Sequence, residues 1–195
     1  MFNGQVLMQC RGHVEADSFI ADYFQLDFAS MVAWQALGAP ETEGMKTRNG
    51  FALAALRSRD GAYLMGAMGQ HTHNAGKIYF PGGTPDTGDI TPDGSVDLSA
   101  SVMRELEEET GLTPHEVSMC DEWHVVPGRE RVAFLRDVFI DLAADEVRSL
   151  IRDRLSRQVQ PELCDIVIAR SVADIDEARM PIFMQVFLRH VFSQS

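Results

Sequence analysis

Hydrophobic and polar positions follow two different periodic patterns along the chain. Short apolar runs bounded by Gly, Pro, Asn or Asp are typical of strands, whereas apolar residues spaced three or four positions apart are typical of amphipathic helices. Strands and helices in this order predict an α/β fold in which a mixed sheet packs between helices. The predicted strands cover residues 51–57, 62–68, 78–80, 117–126, 132–140 and 164–169, and the predicted helices cover 98–110, 143–157 and 181–192.

The N-terminal part of the chain has a pattern of its own. Residues 16–38 are predicted to be helical from the spacing of their apolar residues, with Gly38 placed for a C-terminal cap. Residues 39–50 are rich in Gly, Pro, Glu and Thr, which is typical of a loop. The sequence therefore predicts an N-terminal helical extension at 1–47 and a second domain at 48–195.

The clearest single element is the helix at 98–110. Asp97 is a favourable N-cap residue immediately before it, and Gly111 stands where a helix C-terminal cap is expected. One face of this helix is apolar and is predicted to pack on the sheet. That face consists of Leu98, Val102 and Leu106.

The composition limits the classes of function. The chain has 195 residues, 45% of them hydrophobic, which is enough for a core without disulfides. No apolar run reaches the roughly 18 residues of a membrane span, and no signal peptide pattern opens the chain. Cys10, Cys120 and Cys164 are widely spaced, which is typical of free thiols in a reducing compartment. We therefore expect a cytoplasmic protein with no membrane partner.

The charge of the chain argues against one further class of partner. The formal net charge is −12, and such a surface repels the phosphate backbone of a nucleic-acid duplex. A small phosphate-containing substrate stays compatible with this charge, because a bound divalent metal inverts the local electrostatics of its site.

Glutamates are concentrated on the helix at 98–110. Glu105 and Glu109 are four positions apart and Glu108 is three positions from Glu105, so all three are neighbours on the helix surface. Like charges at this spacing destabilise an isolated helix, and a divalent cation would convert the repulsion into coordination by hard oxygen ligands. The alternative is an ordinary solvated helix face, since Glu is also a common surface residue in helices.

The segment around these glutamates resembles the Nudix box, the signature of the Nudix hydrolases. The box is written G-x5-E-x7-R-E-U-x-E-E-x-G-U, where U is a bulky aliphatic residue. Arg104 to Leu112 matches its second half at every specified position, and Gly83 in the run Phe80-Pro81-Gly82-Gly83 corresponds to its opening glycine.

The first half of the motif departs from the box at two points. The interval between Gly83 and Arg104 is seven residues too long, and an insertion within residues 86–94 is expected to shape substrate choice. Counted back from Arg104, the place of the early Glu falls on Val96. We expect the neighbouring Asp97 to stand in for it as a helix cap and polar partner.

The resemblance implies a fold, a cofactor and a reaction. The fold is the Nudix α/β/α sandwich, with the box as a loop–helix–loop. Mg²⁺ or Mn²⁺ would be held by Glu105, Glu108, Glu109 and the backbone at Gly83, and Arg104 would orient Glu105. Arg104, Glu105 and Glu108 are thus the expected catalytic residues. The reaction is hydrolysis of the diphosphate linkage in a nucleoside diphosphate derivative.

The resemblance leaves the substrate and the assembly open. Residues 74–83 loosely resemble the approach to the box in coenzyme A diphosphatases, and a nucleotide sugar is a further option. A homodimer is one assembly found in the family. Two other functions on this fold are a ligand-sensing module without turnover and an isomerase. The intact arginine and glutamates of the motif count against the first, and the second would need added catalytic residues, such as a Cys and a Glu, that the sequence does not identify.

Several residues outside the motif are weaker candidates. A further acid is expected to act as base or ligand, and Glu130 is preferred to Glu162 because it lies in a turn between two strands. Pairing of Glu130 with Arg129 or Arg131 on the surface is nevertheless the slightly favoured explanation of this residue. The remaining candidates have ordinary structural explanations in a polar loop or in the core. They are His71, His73 and Lys77 for phosphate contact, and Trp34 and Trp123 for stacking on a base.

Overall fold

The computed structural model describes residues 4–41 and 45–194, so residues 42–44 of the predicted loop and the outermost residues 1–3 and 195 lie outside the description. The chain forms nine strands and four helices within the described residues. The strands are β1 Gln5–Glu15, β2 Ser18–Asp27, β3 Asn49–Ser58, β4 Tyr63–Met68, β5 Ile78–Tyr79, β6 Gly82–Gly83, β7 Ser118–Pro127, β8 Arg131–Ile140 and β9 Leu163–Ala169. The helices are α1 Phe28–Ala36, α2 Leu98–Thr110, α3 Ala144–Leu155 and α4 Ile182–Ser193.

The central sheet is mixed. Its order is β5-β4-β3-β8-β7, with β9 paired to β4 and the short β6 paired to β3. The pairing of β3 with β8 is parallel, whereas β3–β4, β7–β8 and β4–β9 are antiparallel. The tight turn at Asp60-Gly61 joins β3 to β4, and Gly61 adopts a left-handed φ of +80° there.

Helices cover both faces of this sheet, which confirms the predicted α/β/α sandwich. Strand β3 shows why, because nearly all its residues are buried and successive side chains point to opposite faces. Ala52, Ala54 and Leu56 belong to the core beneath α2 and α3, whereas Leu53 and Ala55 belong to the core beneath α4.

The structure confirms every element predicted beyond residue 50, with ends shifted by no more than two residues. The helix predicted at 98–110 has the observed bounds of α2. The strand β6 was not predicted, since a Gly-Gly pair carries no hydrophobic pattern; it forms because Ala52 and Leu53 of β3 pair with it.

The predicted helix at 16–38 is wrong over its first half. Residues 5–27 form the antiparallel hairpin β1–β2, and only Phe28–Ala36 are helical, with Gly38 in the left-handed conformation just beyond. The predicted helical extension at 1–47 is therefore a hairpin followed by one helix, because cross-strand pairing outweighed the local helical spacing. Its separation from 48–195 as a domain stays a prediction.

None of the helices in the described parts of the chain is both long enough and apolar enough to cross a membrane.

Candidate active site

The two caps and the apolar face from which helix α2 was predicted also position it in the structure. Asp97 caps its N-terminus by accepting hydrogen bonds from the amides of Ser99 and Ala100, each at 3.0 Å. Gly111 ends it with a left-handed φ of +74°, and its amide donates to the carbonyl of Glu107. Its apolar face packs on the sheet, which directs the face bearing the glutamates towards β6. That apolar face includes the fully buried Val102 and Leu106 and the half-buried Leu98.

Glu105 and Glu109 lie side by side against the backbone of β6. The amide of Gly82 donates to Oε1 of Glu109 at 3.3 Å, while Oε2 of Glu109 is buried without a hydrogen-bond partner. A Cβ atom at Gly83 would lie 2.8 Å from Oε1 of Glu105, so a side chain at this position would displace the carboxylate. The structure therefore brings Gly83, Glu105 and Glu109 together, as the sequence predicted.

Burial gives these two carboxylates unusual protonation behaviour. Burial raises the pKa of Glu105 to about 7, although the charge of Arg104 opposes the rise. Burial also raises the pKa of Glu109, and the adjacent charge of Glu105 raises it further. Both carboxylates are therefore harder to ionise than an exposed glutamate, and Oε2 of Glu109 is buried without a hydrogen-bond partner.

Arg104 is surrounded by four carboxylates. Its Nη1 donates to Oε1 of Glu105 at 2.8 Å, and its Nη2 donates to Oδ2 of Asp89 at 3.0 Å. Asp86 and Glu108 lie further away, at 3.9 and 3.7 Å. Burial lowers the pKa of Arg104, but the charges of Glu105 and Asp89 outweigh burial and the net shift is upward. The predicted contact between Arg104 and Glu105 is thus present.

The third predicted ligand, Glu108, does not share the position of the other two. Its side chain is 62% exposed and points to Arg104, whereas that of Glu105 is only 17% exposed. Among residues 4–41 and 45–194, no three His, Cys, Asp or Glu side chains converge on one point that could hold a metal ion. A buried pair with a nearby backbone fits part of a Mg²⁺ site, since Mg²⁺ usually takes one or two carboxylates and keeps several waters.

The structure corrects the position of the early acid in the motif. Val96 occupies the place obtained by counting back from Arg104, but counting forward from Gly83 gives Asp89. Asp97 serves as the helix cap, as predicted. The polar-partner role that was also predicted for Asp97 belongs instead to Asp89, which is buried and contacts Arg104. The early acid of the box is therefore replaced by Asp89 rather than lost.

The extra residues form a closed excursion between Asp89 and Asp97. The amide of Asp97 donates to the carbonyl of Asp89 at 2.8 Å, and Ile90 pairs with Val96 in an isolated bridge. Without residues 90–96, Asp89 would precede Arg104 by the spacing that the box specifies. We call this segment the 90–96 excursion; it corrects the placement of the insertion at 86–94.

Glu162, the weaker of the two outside acids, lies nearer to the pair. Its charge raises the pKa values of both Glu105 and Glu109, and it also raises the pKa of Tyr79. Glu130 instead contributes its backbone carbonyl to the amide of Asn49 at the start of β3. The preference for Glu130 followed from its place in a turn, whereas Glu162 precedes β9, whose pairing with β4 brings it to the site.

The remaining candidates have structural explanations. Lys77 donates to the carbonyl of Ala178 before α4, and His71 and His73 are exposed in the loop between β4 and β5. Trp34 packs in the small core beneath the N-terminal hairpin, and Trp123 lies under the guanidinium of Arg136 at 5.0 Å.

Comparisons with known proteins agree with this geometry. A family model described as NUDIX domain matches residues 46–191. Similar solved structures include the Nudix hydrolase RenU from M. smegmatis, with 16% identity, a TM-score of 0.51 and coverage of 75% of this chain and 87% of that chain. A C. elegans Ap4A hydrolase in a binary complex has 14% identity, a TM-score of 0.52 and coverage of 74% and 96%.

A third similar structure belongs to a longer protein. It is a bifunctional NMN adenylyltransferase/ADP ribose pyrophosphatase from Francisella tularensis, complexed with AMP and an Mn ion, with 14% identity and a TM-score of 0.52. The alignment covers 85% of this chain and 46% of that one. At these identities the likeness shows the fold. The comparison with curated protein sequences gave no match.

Proposed function

The chain belongs to the Nudix family, a family of pyrophosphohydrolases, and from this premise we propose that it is a Mg²⁺- or Mn²⁺-dependent hydrolase that cleaves the diphosphate linkage of a nucleoside diphosphate derivative. The observation that carries the proposal is the buried pair of Glu105 and Glu109 against Gly83, with one orphaned carboxylate oxygen. Such a pair is unfavourable in a protein that only needs to fold, and favourable in one that binds a cation.

The residues present fit a divalent metal. Glu105 and Glu109 would hold it through carboxylate oxygens, and the backbone at Gly83 and the more exposed Glu108 would be the further ligands. When bound, the metal would neutralise charge on the two phosphoryl groups and lower the pKa of a bound water. The acidic surface of the protein does not oppose a small anionic substrate at such a site.

The other residues have positioning and proton-accepting roles in this proposal. Arg104 keeps Glu105 in place through a charge-assisted hydrogen bond of 2.8 Å. We assign the acid outside the motif to Glu162, because its charge acts on both buried glutamates. A carboxylate there could accept the proton of the attacking water, in the role of general base.

The substrate class is tested by a panel assay with product identification by mass. Two of the similar structures are an Ap4A hydrolase and a bifunctional enzyme with an ADP ribose pyrophosphatase, so Ap4A and ADP ribose belong in the panel beside coenzyme A and a nucleotide sugar. We expect cleavage of one class at the diphosphate in Mg²⁺ or Mn²⁺. Glu109→Gln should abolish it, and Glu107→Gln, an exposed change on the same helix, should not.

Other outcomes of the panel would select another function. An isomeric product would identify an isomerase, and tight binding without any product would identify a ligand-sensing module. Turnover that survives in Glu109→Gln would contradict the site even if the hydrolase activity stands.

Two further expectations accompany the proposed function. We propose a cytoplasmic location, supported by the three free cysteines Cys10, Cys120 and Cys164. We also propose a homodimer, which light scattering of the purified chain would test.

A further inference from the structure

We propose that a cationic patch at the N-terminal ends of β3 and β8 binds a phosphate group of the substrate other than the two in the cleaved linkage. The patch consists of Lys46, Arg48, Arg129 and Arg131. The inference rests on the proposed function and narrows the substrate to a nucleoside diphosphate derivative that carries a further phosphate monoester.

The patch gathers cations that the protein leaves unpaired. In the described part of the chain, most Arg side chains make an ion pair with an Asp or Glu. The Lys and Arg side chains there that make none are Lys46, Arg48, Arg57, Lys77, Arg129 and Arg131. Arg57 lies over the ring of Tyr63, and Lys77 donates to the carbonyl of Ala178, so only the patch has no such partner for its charge. In a protein with 29 Asp and Glu residues, unpaired cations collected in one place indicate an anionic ligand.

Backbone hydrogen bonds hold these like charges together. Arg129 lies in the turn between β7 and β8, and Arg131 begins β8. The amide of Asn49 donates to the carbonyl of Glu130 in this turn at 2.9 Å, and Nε of Arg48 donates to the carbonyl of Arg129 at 3.4 Å. Within the described chain, the carboxylate of Glu130 makes no ion pair with either arginine of the turn. A bound phosphate would replace the repulsion among the cations by charge-assisted hydrogen bonds.

The patch lies beside the proposed metal site. Asn49 and Arg131 are partners in the parallel pairing of β3 with β8, so their side chains point to the same face of the sheet. Oδ1 of Asn49 accepts a hydrogen bond from Oγ1 of Thr84 at 3.0 Å, and Thr84 directly follows Gly83. Arg131 is thus linked through Asn49 and Thr84 to the backbone beside Glu105.

Tyr79 gives a second link between the patch and the buried acids. Burial raises the pKa of its hydroxyl, the charge of Glu109 raises it further, and the charge of Arg131 lowers it. One hydroxyl therefore feels a negative charge from the acid pair and a positive charge from the patch. A substrate that extends past the acids on this side meets a cation.

The separation of the patch from the metal site is spanned by one nucleoside. Gly83 pairs with Ala52, and Asn49 lies three residues earlier in β3, which corresponds to about 10 Å at the rise of a strand. A diphosphate held at Glu105 and Glu109 would leave the ribose of the same substrate within reach of Arg131.

A cleft beside the patch provides room for a ligand. Its volume is about 510 Å³, and Lys46 and Arg48 line it together with Arg11 of β1. Among its described lining residues the acid is Glu41, so positive charge predominates. A concave, positively charged surface next to the active site fits a phosphate group and the part of the substrate that carries it.

The kinetic test compares pairs of substrates that differ by one phosphate monoester. Coenzyme A with dephospho-coenzyme A is one pair, and 2′-phospho-ADP-ribose with ADP ribose is the other. Hydrogen bonds to charged groups typically change affinity by about 10–100-fold. We expect the wild type to favour the phosphorylated member of at least one pair by that factor in kcat/KM, mainly through KM. Equal kcat/KM values within both pairs would overturn the proposal.

The double variant Arg48→Gln/Arg131→Gln identifies the origin of the preference. It should bring the ratio of the two kcat/KM values close to one, whereas Arg131→Lys, which keeps the charge, should retain part of the preference. Arg59→Gln/Arg148→Gln is the matched control, because it removes the same charge at the other end of β3 and on α3. The control should keep the full ratio. A preference that survives in Arg48→Gln/Arg131→Gln would overturn the proposal.

Inorganic phosphate distinguishes a group of the substrate from a separate anion. If the patch binds the substrate, inorganic phosphate should inhibit cleavage of the phosphorylated member more strongly than cleavage of its partner. Faster cleavage of the unphosphorylated member in inorganic phosphate would show that the patch takes free phosphate, and would overturn the assignment to the substrate.

A binding measurement requires neither metal nor turnover. Adenosine 2′,5′-bisphosphate and adenosine 3′,5′-bisphosphate each carry one phosphate more than adenosine 5′-monophosphate, and all three can be titrated into the metal-free protein by calorimetry. We expect tighter binding of at least one bisphosphate than of the monophosphate, and loss of the difference in Arg48→Gln/Arg131→Gln. No measurable binding of either bisphosphate, or affinities equal to that of the monophosphate, would overturn the proposal.

Cleavage and binding separate this inference from the proposed function. A protein that cleaves no member of either pair but binds a bisphosphate through the patch would contradict the hydrolase and keep the phosphate site. A protein that cleaves both members of each pair equally well would contradict the phosphate site and keep the hydrolase.

Discussion

The backbone amide of Asp97 donates to the carbonyl of Asp89 at 2.8 Å, so the two ends of the 90–96 excursion are joined by a hydrogen bond. The excursion itself is closed by the pairing of Ile90 with Val96 and by the amide of Thr91 donating to Ser95. Asp89 and Asp97 therefore keep their positions at the base of α2 independently of what lies between them.

Deleting residues 90–96 should leave the protein folded and active. The deletion joins Asp89 to Asp97 across a gap that a hydrogen bond already spans, and it restores the spacing of the box. We expect kcat on the best substrate to change by a few-fold at most, measured beside thermal unfolding. A deletion of residues 87–93, equal in length, removes Asp89 and should abolish activity; equal activity in the two deletions would contradict the placement of the excursion.

Glu109→Gln should lower turnover by orders of magnitude without lowering the melting temperature of the metal-free protein. The amide keeps an oxygen to accept from Gly82, and it replaces an acid whose ionised form burial already disfavours. Steady-state kinetics and thermal melts measure the two effects. Glu107→Gln, on the exposed side of the same helix, is the control and should change neither quantity.

Gly83→Ala should impair catalysis far more than stability. The new Cβ would lie 2.8 Å from Oε1 of Glu105, and the end of this flexible side chain would move away from the site. We expect a large fall in kcat with a modest change in the denaturant midpoint. Wild-type activity in Gly83→Ala would show that the position of the Glu105 carboxylate beside Gly83 has no importance for the reaction.

Mg²⁺ should raise the melting temperature of the wild-type protein. A ligand that binds only the folded state stabilises it by about 2.7 kcal/mol at a free concentration about 100 times its Kd. The buried acids Glu105 and Glu109 repel each other, and a cation between them would relieve that repulsion. The double variant Glu105→Gln/Glu109→Gln is the control, and an equal shift in it would place Mg²⁺ elsewhere on this acidic protein.

The stability of the protein should depend on pH through His124. The carboxylate of Asp137 lies 3.9 Å from Nε2 of His124 and raises the pKa of His124. Burial opposes this rise, and the charge of Glu122 adds to it. The ring of His190 on α4 is 6.2 Å away and Tyr63 on β4 faces Asp137. A raised pKa in the folded state means that the stabilisation is present below the ordinary pKa of about 6.5 and is lost as pH rises through the folded-state pKa.

The comparison of wild type with His124→Gln measures this contribution. We expect the free energy of unfolding to differ more between the two proteins at about pH 5.5 than at about pH 8.5. His73→Gln, in an exposed loop, is the control and should show no such dependence. A difference that grows with rising pH would have the wrong sign for this pair.

Local interactions allowed the sequence to predict α2 and its glutamates. Asp97 caps the helix through amides two and three residues away, and Gly111 ends it through its own left-handed conformation. The spacing of Glu105 and Glu109 places them on one face of any helix. The sequence alone therefore predicted the motif, the helix that carries it and the α/β/α sandwich.

Contacts between distant residues were decided only by the tertiary structure. The hairpin β1–β2 replaced a predicted helix because its strands stabilise each other by pairing, and Glu162 reached the site because β9 pairs with β4. Asp89 was missed because a count along the chain includes the 90–96 excursion. In space, a hydrogen bond closes the excursion and leaves Asp89 against Arg104.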